Sequence, residues 1–160
     1  MSRTIQRPSL IAAVATFAAT LFGAHLSAQE TSDMLVDDVA VQFMKAFKAE
    51  DADTLSKTVS FPLYFEGRGV LKSNAEFHEQ FKAAFAKWDY SDLTWEIKKR
   101  SDLKDVVGMM PARERKHLEE VARAGDVAVQ IGARTKGNST GMLLFVRVEN
   151  GKALIVGIVG

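Results

Sequence analysis

The 160-residue chain contains no cysteine. That excludes disulfides, a thiol nucleophile and the lipid-carrying cysteine of a bacterial lipoprotein. Histidine is nearly as scarce, and none of His25, His78 and His117 has the H-x-H or H-E-x-x-H spacing of a metal site. A glycine-rich phosphate loop and a Ser-His-Asp pattern are missing too, so neither metal nor cofactor is expected. Positive charge is not concentrated: Lys98-Lys99-Arg100 and residues 113–116 are short basic runs beside acids in a chain of net charge +1, which argues against a nucleic-acid partner. Only three prolines interrupt the chain, and no repeat or linker divides it.

Two apolar runs stand out against this background. The first lies in residues 1–28, where Arg3 and Arg7 precede an apolar stretch over 10–24 and then Leu26-Ser27-Ala28. This is the grammar of a secretory signal peptide, and the stretch is shorter than the roughly 20 residues that span a bilayer. Cleavage is expected after Ala28, leaving 29–160 as a single exported domain, periplasmic or extracellular and soluble. Loss of Arg3 and Arg7 takes the net charge from +1 to −1.

In the remainder, Thr31 or Ser32 is expected to cap a helix carrying Val36, Ala40, Phe43 and Phe47 on one stripe. A short helix started by Asp51 or Asp53 follows. Residues 60–66, SFPLYFE, read as a strand that Pro62 places at an edge or a strand start. Gly67-Arg68-Gly69 turns the chain, and Val70-Leu71 pairs back. Ser73 and Glu76 form a capping box ahead of a helix with Phe77, Phe81, Ala84, Phe85 and Trp88 on its stripe. Residues 92–100 alternate as a half-buried strand with Leu93, Trp95 and Ile97 inward. An extra helix is expected at about 111–124, with Pro111 in its first turn.

Three antiparallel strands close the chain, which brings in the second apolar run. Asn150-Gly151 demands a two-residue type I′ turn, and counting outward sets Val146 against Ile155 and Leu144 against Gly157. One hairpin face is then uniformly apolar. The other, Leu143, Phe145 and Arg147 against Leu154, Val156 and Ile158, is apolar away from the turn, so something must cover it. Leu143, Phe145, Leu154, Val156 and Ile158 are therefore candidates for a homodimer interface. The layout is α+β, with helices packed on one face of a curved sheet.

The stretches FMKAFKAEDADTL, FPLYFEGRG and SNAEFHEQF, followed by long terminal strands, resemble the nuclear transport factor 2-like superfamily, which includes SnoaL-like proteins and ketosteroid isomerases. The resemblance implies a cone: a strongly curved, mixed or antiparallel sheet wrapped around N-terminal helices, with a pocket between them and often a dimer on the outer sheet face. Residues 103–124 exceed the usual connection and imply a lid or a partner-binding surface. The isomerase chemistry of the superfamily needs a carboxylate base and acidic hydrogen-bond donors. Glu66 comes nearest the base, whereas Met44 and Leu144 occupy the donor positions, and neither can donate.

The candidate pocket is accordingly Met44, Tyr64, Glu66, Trp95 and Leu144. Alternation places Tyr64, Glu66 and Arg68 on one side of the first strand, where Glu66 and Arg68 read equally as a surface ion pair. Trp88, Tyr90 and Trp95 read as core or rim aromatics, and Met109-Met110 as an exposed apolar spot. The leading expectation is a non-enzymatic domain binding a small apolar or amphipathic ligand, or a protein partner. The alternative is an isomerase, dehydratase or hydrolase using Tyr64, Glu66 and His78.

Overall fold

The computed structural model describes residues 11–136 and 138–160, with side chains from Gln29 onward. The expected signal peptide, residues 1–28, lies wholly outside the described side chains, and its cleavage is untouched by the structure. The chain divides into two units, Met1–Asp33 and Met34–Gly160. From Ile11 the first unit is helical, so Thr31 and Ser32 lie within a helix rather than capping one. That helix, α1, runs Ile11–Lys48. Among the described residues no helix is long and apolar enough to cross a membrane.

Within the second unit the order continues with α2 (Ala52–Ser56), β1 (Val59–Phe65), β2 (Gly69–Leu71), α3 (Asn74–Lys87), β3 (Thr94–Asp102), α4 (Leu103–Val107), α5 (Ala112–Glu119), β4 (Val127–Thr135), β5 (Asn138–Glu149) and β6 (Lys152–Val159). The strands form one sheet in the order β2-β1-β6-β5-β4-β3. Among the described residues, only β1 and β6 pair in parallel. Side-chain caps start α2 and α3: the Asp51 carboxylate accepts the Thr54 N–H at 2.9 Å, and the Ser73 hydroxyl accepts that of Glu76 at 3.3 Å. The Glu76 carboxylate reaches back one residue further than a capping box requires, to the Lys72 N–H.

Helices α1 and α3 cover one sheet face. Val36, Val39, Ala40, Phe43 and Met44 of α1 are buried against Phe77 and Phe81 of α3 and against Val129, Ile131, Leu144, Val146 and Ile155 of the sheet. Aromatic rings fill the space between helices and sheet. Phe77 and Phe81 lie 4.6 Å apart between centroids, as do Phe47 and Tyr90, while Phe43, Phe65 and Phe85 meet the same group at about 6 Å. Such pairs contribute roughly 0.5–1.5 kcal/mol each beyond their buried area. Trp88 leaves the stripe: it sits at the end of α3, 57% exposed, beneath the Lys87 ammonium.

The opposite sheet face is covered by residues 103–126, here called the insert. Its two short helices replace the single helix expected over 111–124, and Pro111 precedes α5 rather than opening it. Val106, Leu118 and Val121 pack with Tyr64, Ala128, Phe145 and Val156 in a second core. The apolar second face of the last hairpin is thus covered from within the chain.

Two irregularities explain where the register departs from a simple count. The Asn150-Gly151 turn has the expected positive φ angles of 53° and 72°, and Val146 faces Ile155. Beyond it a bulge at Val156 shifts the pairing, so Phe145 faces Gly157 and Leu144 faces Ile158. The extra residue turns Ile158 into the first core and Val159 onto the insert face. A second bulge at Lys98 turns Lys99 and Ser101 onto the insert face opposite Gln130 and Ala128. Pro62 is not on an edge strand. It precedes the β2 pairing, which begins at Leu63, within the gap of the β1/β6 register.

Candidate functional site

Neither the candidate pocket nor the candidate interface survives as a set. Met44 and Leu144 are fully buried between helices and sheet, and Trp95 packs at the edge of the same core. Tyr64 is also buried, but on the opposite face, in the core beneath the insert. The reason is the strand period: Leu63 faces the helices, so Tyr64 must face away. The Tyr64 hydroxyl donates to Glu114 Oε2 at 2.8 Å. Burial pushes the Tyr64 phenol above its ordinary range, and the hydrogen bond and charge of Glu114 and the charge of Glu66 push it further.

Glu66 is exposed, and its carboxylate accepts the Gly160 N–H at 3.0 Å. Among the described residues no ion pair joins it to Arg68. His78 has a third neighbour, with Nδ1 3.5 Å from the Asp53 carboxylate. His78 therefore lies apart from Tyr64 and Glu66, and although the Glu66 charge reaches Tyr64, the Tyr64 hydroxyl is taken by Glu114. Of the interface candidates, Phe145, Val156 and Ile158 are at most 4% exposed within the single chain, and only Leu143 and Leu154 remain half-buried. Phe145 and Val156 are enclosed by the insert, and the bulge turns Ile158 inward.

Open spaces lie beside the insert, over strands β3 to β5 next to Trp95, and between α1 and the turn of the last hairpin. One groove of about 540 Å³ runs between the last hairpin and the C-terminal end of the insert, lined by Phe61, Val121, Ala122, Leu154 and Val156 with Arg123, Arg147, Glu120, Glu149 and Lys152 around them. A buried ion pair anchors it. Asp126, 2% exposed, accepts from Arg147 Nε at 2.9 Å and Nη2 at 2.7 Å, and the same Nη2 donates to the Val121 carbonyl. The second Asp126 oxygen also accepts the Arg123 N–H, which ends the insert where Gly125 turns at φ 94°. Because Arg147 is committed to Asp126, its charge is already neutralised.

A second groove of about 350 Å³ lies on the other side of the insert, between α4 and strands β3 to β6. Its lining is mostly apolar and includes one cation, Lys99, and no acid. Sequence reasoning named Met109 as an exposed apolar spot, and Met109, 79% exposed, forms part of its rim. Glu114 and Asp126 escaped notice, and Lys99 reads only as part of the short basic run Lys98-Lys99-Arg100. Asp126 after Gly125 reads as a helix-end acid, but its partner Arg147 is 21 residues away. Lys99 reaches this face only through the bulge at Lys98, which alternation does not announce. Tyr64 and Glu66 line neither groove.

No protein-family model matches the chain, and no curated protein matches its sequence. Solved structures do match it in fold. A ketosteroid isomerase-like protein from Erwinia carotovora atroseptica SCRI1043 aligns over 78% of this chain and 91% of its own, with TM-score 0.54 and 16% identity. A protein of unknown function with a cystatin-like fold from Nostoc punctiforme PCC 73102 aligns over 79% and 86%, with TM-score 0.52 and 12% identity. An NTF2-like protein of unknown function from Methylobacillus flagellatus KT aligns over 79% and 88%, with TM-score 0.52 and 10% identity. The sheet order, the helices on one face and these matches agree: the chain has the α+β fold of the NTF2-like and ketosteroid isomerase-like proteins.

Proposed function

We propose that the chain is an exported, non-enzymatic binding domain that takes a small amphipathic ligand on the insert face of its sheet. One observation carries this reading. The core between helices and sheet is packed with the chain's own aromatic rings, and the two grooves that flank the insert join apolar to polar lining. Catalysis by proton transfer needs a base and donors converging on one reacting atom. Tyr64 is held by Glu114 and Glu66 stands in water, so they do not form such a set. Mixed apolar and polar linings suit ligand recognition, in which apolar area supplies affinity and a few polar groups fix orientation.

Export rests on the three-part pattern of residues 1–28, and mass spectrometry of the secreted protein is expected to find Gln29 first. An intact amino terminus in the membrane fraction would refute export. For binding, anilinonaphthalene sulfonate is the probe. Its fluorescence is expected to rise saturably with the folded protein and equally with Glu66→Gln. Turnover or substrate proton exchange that disappears in Glu66→Gln would instead establish an enzyme, and a dye response appearing only on unfolding would remove the binding reading.

A further inference from the structure

The groove beside α4 has a built polarity. Register places Lys99 opposite Gln130, Gln130 opposite Leu143, and Leu143 opposite Val159, a single row crossing four strands on the insert face. With neighbouring strands about 4.8 Å apart, the row is about 14 Å long. It runs from an ammonium through an amide to two aliphatic side chains. Val106 and Met109 of the insert complete the apolar part. Lys99 forms no ion pair among the described residues, unlike Lys98, which is engaged by Glu96, and Arg100, which is engaged by Asp37.

We propose that this groove binds a linear aliphatic monocarboxylate, with the carboxylate at Lys99 and the chain lying over Leu143 and Val159 beneath Met109. Charge complementarity selects the head group, because a lining with one cation and no acid repels no anion and attracts no ammonium. The length of the row and the volume of about 350 Å³ select a medium-length chain. The flexible thioether of Met109 adapts to a chain of variable conformation. This assignment rests on the binding function proposed above and names its ligand class.

The test is calorimetric titration of the full protein with decanoate, decanol and decyltrimethylammonium below micelle formation. Decanoate is expected to bind most tightly. Lys99→Gln is expected to weaken decanoate about three- to fivefold, the range of a solvent-exposed ion pair, and to leave decanol unchanged. Gly141→Leu supplies a variant that fills the groove without disturbing the fold. A Cβ at Gly141 meets only the Ile131 carbonyl, at 4.0 Å, and the residue lines the groove. It is expected to abolish decanoate binding while the melting temperature is retained.

Three results would overturn the proposal. They are no decanoate binding, equal affinity for all three amphiphiles, or decanoate binding unchanged in both variants. In the last case the ligand sits elsewhere and the binding function stands, whereas loss of the anilinonaphthalene sulfonate response as well removes both.

Discussion

Tyr64 in β1 and Glu114 in α5, fifty residues apart in sequence, are joined by a hydrogen bond of 2.8 Å between hydroxyl and carboxylate. That bond fastens the insert to the sheet. A hydrogen bond to a charged group contributes about 1.5–3 kcal/mol, and solvent access at Glu114 puts this one at the lower end. Tyr64→Phe is therefore expected to lower stability by about 1–2 kcal/mol in denaturant titration. A double-mutant cycle with Glu114→Gln is expected to show a coupling of about 1 kcal/mol, and additive losses would mean that the contact carries no energy.

The same contact sets an alkaline limit. Burial raises the Tyr64 phenol, with Glu114 adding to the shift, and burial with the charge of Glu50 raises that of Tyr90. The ordinary phenol titrates near 10. Above about pH 10 the unfolded chain therefore releases protons that the folded chain still holds. Stability is complete below that pH and falls as pH rises beyond it. Tyrosinate absorbance of the native protein is expected to stay low at pH 10 and to appear with unfolding. Ordinary titration of both phenols in the folded state would contradict the burial.

The Arg147 and Asp126 pair behaves asymmetrically. Removing one member leaves the other charge nearly buried, which costs about 3–5 kcal/mol. Asp126→Ala also takes away the acceptor of the Arg123 N–H, so it is expected to destabilise more than Arg147→Met. Thermal unfolding of the two variants measures the difference, and equal small losses would show the pair to be solvated.

Packing beneath the insert tolerates no added volume. A Cβ at Gly157 would stand 2.8 Å from Phe145 Cδ2 and 3.3 Å from Tyr64 Cδ1. Both rings are fully buried, so Gly157→Ala is expected to cost about 1–3 kcal/mol. Val156→Asp places a carboxylate in the same core and is expected to unfold or aggregate the protein. Release of folded monomers from a dimer would instead show that Val156 lies at an interface between copies.

Much of the fold was legible in the sequence for local reasons. The helical stripe of Phe77, Phe81 and Phe85, the cap at Ser73, the cap at Asp51 or Asp53 that the structure gives as Asp51, and the Asn150-Gly151 turn each act over a few residues. The need to cover the second face of the hairpin was also legible, from its apolar pattern. What covers it was not. Leu118 and Val121 meet Phe145 and Val156 through contacts distant in the chain, and two bulges exchange Ile158 and Lys99 between faces. A bulge adds one residue to a strand and reverses everything after it, so period-two reading fails there. For the site, residue chemistry identified Tyr64 and Glu66, but only the three-dimensional arrangement shows one held by Glu114 and the other in water.

The methionine methyl groups report directly on where the ligand sits. Met44 is fully buried between helices and sheet, whereas Met109 is exposed at the rim of the groove beside α4. In a decanoate titration followed by methyl NMR, the Met109 signal is expected to move saturably while that of Met44 stays fixed. Saturable movement of Met44 with Met109 silent would place the ligand between helices and sheet and rule out the groove beside α4.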